Sequence, residues 1–68
     1  MIILVNGQPR EVDPPVRLSE VLDLAEGAVA PRGIAVAVNG EVVPRSQYAT
    51  IELTEGATVE IVTAVQGG

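Results

Sequence analysis

The sequence predicts an α+β domain: a mixed sheet of four to five strands packed on one helix. Three observations carry this. Asn-Gly occurs at 6–7 and again at 39–40, each time directly after an apolar run, which is a strong short-range hairpin signal. Only residues 18–26 space their apolar side chains at helical intervals. The first and last apolar runs, 2–6 and 58–64, are rich in Val and Ile, as strands are.

Residues 2–6 are apolar on both faces, so both faces of their strand should be at least partly covered. Residues 8–12 form a poorer strand. Pro9 cannot donate to a ladder, which places that strand at a sheet edge, and Asp13-Pro14-Pro15 ends it. Leu18, Val21, Leu22 and Ala25 follow i, i+3, i+4, i+7 spacing and give the helix one apolar stripe. Glu20, Asp23 and Glu26 read as its solvated face. Gly27 is a candidate C-cap, but no residue stands out as an N-cap, because Ser19 falls inside the apolar pattern. Residues 28–33 form a loop.

The next strand is 34–38, with Ile34, Val36 and Val38 inward and alanines between them. Asn39-Gly40 leads into a short strand, 41–43, ended by Pro44. Residues 44–48 make a compact connection, and Tyr48, the one aromatic residue, is expected to anchor the core. Glu55-Gly56 turns the chain into the last strand, 58–64, with Val59 and Ile61 inward. The order is β-β-α-β-β-β. Parallel pairing of the first and last strands at the centre explains their apolar character, and this is the β-grasp arrangement. Residues 1–64 are read as one domain, and 65–68 as a tail with nothing to order it.

Composition narrows the chemistry. The chain has 68 residues and neither Cys nor His. Stability must come from packing, in a domain near the lower size limit for independent folding. There is no thiol nucleophile and no side chain that ordinarily titrates near neutral pH. No loop has the acidic spacing of a calcium site. No enzyme activity, metal or bound cofactor is expected. The net charge is −5. The basic residues Arg10, Arg17, Arg32 and Arg45 are dispersed, which argues against nucleic acid. The apolar start is too short to span a membrane. A soluble, cytoplasmic protein is the expectation.

The sharpest feature is Gly67-Gly68, preceded by Gln66. Two glycines can thread a narrow channel in any backbone conformation. No side chain shields the terminal carbonyl carbon. The carboxylate is ionised at neutral pH and a poor electrophile, so a partner must activate it, for example by transfer of AMP. A sulfur nucleophile can then displace AMP and leave a thiocarboxylate.

Several stretches together resemble the ThiS family of sulfur carriers in thiamin biosynthesis, which are ubiquitin-like. They are Ile3-Leu4-Val5-Asn6-Gly7, Ala37-Val38-Asn39-Gly40-Glu41-Val42-Val43-Pro44-Arg45 with Tyr48 following, Glu55-Gly56, and Gly67-Gly68. The resemblance implies that an E1-like, ThiF-like adenylyltransferase uses ATP to adenylate Gly68. A cysteine desulfurase or other persulfide donor would supply sulfur. The Gly68 thiocarboxylate would then serve a ThiG-like thiazole synthase. Strand alternation puts Leu4, Ala37 and Val62 on the sheet face away from the helix, as candidate docking residues with Arg45. Two alternatives stay open: the small subunit of molybdopterin synthase, or a carrier for another sulfur metabolite. A third is a β-grasp interaction module without terminal chemistry.

Overall fold

Both Asn-Gly pairs form tight turns in which each residue is left-handed: φ is 51° and 82° at Asn6 and Gly7, and 52° and 82° at Asn39 and Gly40. These are the angles of type I′ turns, whose twist matches that of a hairpin. In the computed structural model, which describes residues 1–26 and 34–63, the first turn joins β1 (Ile2–Val5) to β2 (Gln8–Glu11). The second joins β3 (Ile34–Val38) to β4 (Glu41–Val43). With β5 (Thr58–Thr63) they form one five-stranded sheet in the order β2-β1-β5-β3-β4. β1 and β5 run parallel, and the other neighbours are antiparallel.

The expected element order and parallel pair are therefore present, with β2 at an edge as Pro9 requires. The first strand stops at Val5 rather than Asn6, because Asn6 must turn left-handed. Gly27, the loop 28–33 and the tail 65–68 lie outside the described residues.

Helix α1 (Leu18–Glu26) packs Leu18, Val21 and Leu22 into a core with Ile3, Val5, Val36, Val59 and Ile61. Its N-terminus is capped, contrary to the reading of the sequence. The Glu20 carboxylate accepts a 2.7 Å hydrogen bond from the backbone N–H of Arg17, so Glu20 is more than solvated surface. This is half of a capping box, in which the third helical residue reaches back to the N-cap. The next two donors are met from a distance: Leu18 N–H donates to Ile51 C=O, and Ser19 N–H to Tyr48 C=O, both at 2.9 Å. The connection after β4 therefore does more than link strands. It makes a 3-10 turn at Arg45–Gln47, closes the helix start, and adds Leu53 and Ala57 to the core. Tyr48 is half-buried against that core rather than inside it.

Candidate functional site

β5 is the strand that leads toward Gly68. It is gripped at two points by the turn asparagines. Asn39 N–H donates to Thr58 C=O at 2.8 Å, and Thr58 N–H donates back to Asn39 Oδ1 at 3.0 Å. Asn6 N–H donates to Val59 C=O at 2.8 Å, and Ile61 N–H donates to Asn6 Oδ1 at 2.7 Å. Each asparagine thus shapes a hairpin and also bonds the neighbouring strand through its side chain. The sequence marked both as turn residues only. Their second role was hidden because it depends on which strand lies alongside.

The face of the sheet away from α1 carries a shallow apolar hollow. Register explains it. Ala37 lies opposite Val42 and Glu60, and Ala35 lies opposite Val62. Small alanines on β3 form the floor, while Val42, Val62 and Glu60 rise from the flanking strands. Val42 is 74% exposed and Val62 61% exposed, well beyond what a β-branched side chain shows in a covered sheet.

The four candidate docking residues are not brought together. Ala37 and Val62 both line the hollow. Leu4 faces Pro9 and Thr58. Val62 is four residues further along β5, about 13 Å at the usual strand rise. Arg45 is exposed in the 3-10 turn and does not line the hollow. Sequence reading missed Ala35, Val42 and Glu60. The signal for Val42 was present: a two-residue turn at Asn39-Gly40 pairs Val38 with Glu41 and so Ala37 with Val42.

A second depression lies between α1 and the first hairpin, walled by Val5, Val12, Val21 and Leu24, with Arg10 and Glu11 beside them. Among the described residues no group of carboxylates is arranged to hold a metal ion. No described helix is long and apolar enough to cross a membrane. Gly68, Gly67 and Gln66 lie outside the described residues.

Residues 3–68 match the family model described as the ThiS family. The chain belongs to the ThiS family. A crystal structure of the thiamine biosynthesis protein ThiS from Geobacter metallireducens superposes with a TM-score of 0.80 at 31% identity, over the full length of both chains. A solution structure of a thiamine biosynthesis protein from the same organism gives 0.73 at 31% identity, covering all of this chain and 88% of that one. The fold is thus the ubiquitin-like β-grasp fold of ThiS. A curated thiazole synthase from Paramagnetospirillum magneticum is 34% identical over 68 residues. That match covers all of this chain and 20% of the relative, so the chain spans about a fifth of that protein's length.

Proposed function

We propose that this ThiS-family chain is a sulfur carrier for thiazole formation in thiamin biosynthesis, with Gly68 as the atom-bearing residue. The observation that carries the proposal is the extent of the family match. It runs through residue 68 and so includes the Gly67-Gly68 end along with the folded body. The likeness to a thiazole synthase over the whole chain supports the same pathway and favours a ThiG-like enzyme as acceptor.

The chemistry is a displacement in two stages. A ThiF-like adenylyltransferase binds ATP, and the Gly68 carboxylate attacks its α-phosphorus. Pyrophosphate leaves, and an acyl-adenylate forms. A sulfur nucleophile then attacks the carbonyl carbon and AMP leaves. With hydrosulfide the product is the thiocarboxylate directly. With a cysteine persulfide it is an acyl disulfide, whose S–S bond a thiol then cleaves. The carrier itself supplies no catalytic group and binds no cofactor. Its parts are a reactive end and a body by which partners hold it.

The body's docking surface is assigned to the hollow of Ala35, Ala37, Val42 and Val62. Its occupant is the activating enzyme. An exposed apolar depression of this kind favours a partner presenting a protruding apolar side chain. Glu60 at its border favours a basic group beside that side chain.

Intact-mass spectrometry tests the carrier chemistry. Incubation with the activating enzyme, ATP and sulfide is expected to yield a species about 16 Da heavier, one oxygen exchanged for one sulfur. An unchanged mass with the cognate enzyme, under conditions where that enzyme consumes ATP, overturns the proposal.

A further inference from the structure

We infer that Asn6 is a positioning residue for the reactive end, acting through its side-chain carbonyl on β5. The inference rests on the sulfur-carrier reading above and adds a residue to it.

The argument begins with the parallel ladder. Leu4 N–H donates to Ala57 C=O at 2.9 Å, and Asn6 N–H donates to Val59 C=O at 2.8 Å. In a regular parallel pair the next rung would run from Ile61 N–H to the backbone carbonyl of Asn6. That carbonyl is not where the ladder needs it, because Asn6 has φ of 51° and has already entered the turn. Its Oδ1 takes the place instead, accepting from Ile61 N–H at 2.7 Å in a partly buried setting. One side chain therefore continues the ladder one rung past the end of β1.

The position of that rung matters. Ile61 is 8% exposed and lies in the buried core. Gly68 follows seven residues later, a span of at most about 25 Å when fully extended. Asn6 thus ties down the β1 side of the strand near the end that leads to Gly68. If this rung opens, the strand is held on that side only as far as Val59. Residues 60–63 are then held by β3 alone, and that end of the strand gains freedom. The partner still docks on the body as before, but the terminus is presented over a wider range of positions.

Asn39 supplies an internal control. It has the same residue type, the same left-handed turn and an equivalent side-chain bond, but it grips Thr58 at the start of β5. Loss of its Oδ1 weakens the same strand without touching the end that leads to Gly68.

The test uses three variants of the full chain: Asn6→Gly, Asn6→Asp and Asn39→Gly. Glycine tolerates positive φ, so it keeps each turn and removes only the acceptor. Aspartate tolerates the turn and keeps an acceptor. Steady-state adenylation and thiocarboxylate formation are measured with the activating enzyme, ATP and sulfide. Amide exchange at Ile61 is followed by NMR. For Asn6→Gly, kcat is expected to fall about three- to tenfold, the weight of one net hydrogen bond, with KM for the carrier unchanged. Ile61 exchange should accelerate in the same variant. Asn6→Asp should restore both, and Asn39→Gly should lower thermal stability while leaving kcat at the wild-type value. Equal kcat in the two glycine variants overturns the inference, as does failure of aspartate to rescue. Wild-type protein that gains no sulfur overturns the carrier reading itself, and with it any need to position the end, whatever Ile61 exchange shows.

Discussion

At the residue scale, backbone conformation decides more than side-chain space. Gly40 has φ of +82°, yet a Cβ built there would meet nothing within 4 Å. Any cost of adding that Cβ is therefore conformational. Gly40→Ala is expected to lose about 1–2 kcal/mol, the usual penalty of the left-handed region for an L-residue. D-alanine at the same position should lose none of it. A chain this short is accessible to synthesis, and thermal melts of the two versions check the prediction. Glu20 offers a second test. Its carboxylate holds the Arg17 N–H at the helix start. Glu20→Ala should cost about 0.5–1 kcal/mol, the range of a lost cap. Glu20→Gln, which keeps an acceptor, should cost less, and urea midpoints would separate them. Neither Glu20's role nor the second bond of Asn6 was legible in the sequence. An acidic residue in a first helical turn looks the same whether it caps or only faces water. The bond to Ile61 joins residues 55 apart in sequence, so no local pattern could show it.

At the element scale, pairing separates the two faces of the sheet. The alternation in β3 was readable, since Ile and Val alternate with Ala over 34–38. That pattern placed Val36 in the core and Ala35 and Ala37 outside, and the burial agrees. The docking cluster was less readable. Leu4, Ala37 and Val62 share a face, but a shared face is not a shared place. The parallel register sets Leu4 against Thr58, far from Val62 along β5. This division makes a prediction. Val42→Lys and Val62→Lys replace exposed side chains on the outer face and should change stability by no more than about 0.5 kcal/mol. Both should raise KM for the carrier in the adenylation assay. Leu4→Lys should raise it less. Equal effects from all three would show a docking surface wider than the hollow.

At the scale of the whole molecule, the small core leaves little reserve. Ile3, Leu18, Leu22, Val36 and Val59 are the largest fully buried side chains among the described residues. Truncating a buried leucine costs about 2–5 kcal/mol, and a core of this size yields only about 3–5 kcal/mol in total. Leu22→Ala should therefore leave the chain largely unfolded at 37 °C, detectable as loss of NMR dispersion. Deleting Gly68 should leave the melting temperature unchanged, because it removes no side chain. Fold class was legible at this scale because hairpin turns, helical spacing and strand alternation all agreed. The closure of the helix start by residues 48–51 was not legible. It is made by backbone groups of Tyr48 and Ile51, and backbone groups leave no mark on composition.

The central place of β5 also has a consequence for synthesis. β1 and β3 are joined within the sheet through it, and its partners on β1 lie more than fifty residues earlier, at Leu4 and Val5. On the ribosome, both hairpins and the helix emerge before the strand that joins them. Until residues 58–63 are free, each piece is a two-stranded ribbon or a short helix, marginal on its own. Nascent chains carrying an added C-terminal linker should be protease-sensitive when arrested with Thr58 still in the exit tunnel, and resistant once Thr63 has cleared it. Quality control would therefore meet this protein as one late event rather than as a series of stable intermediates.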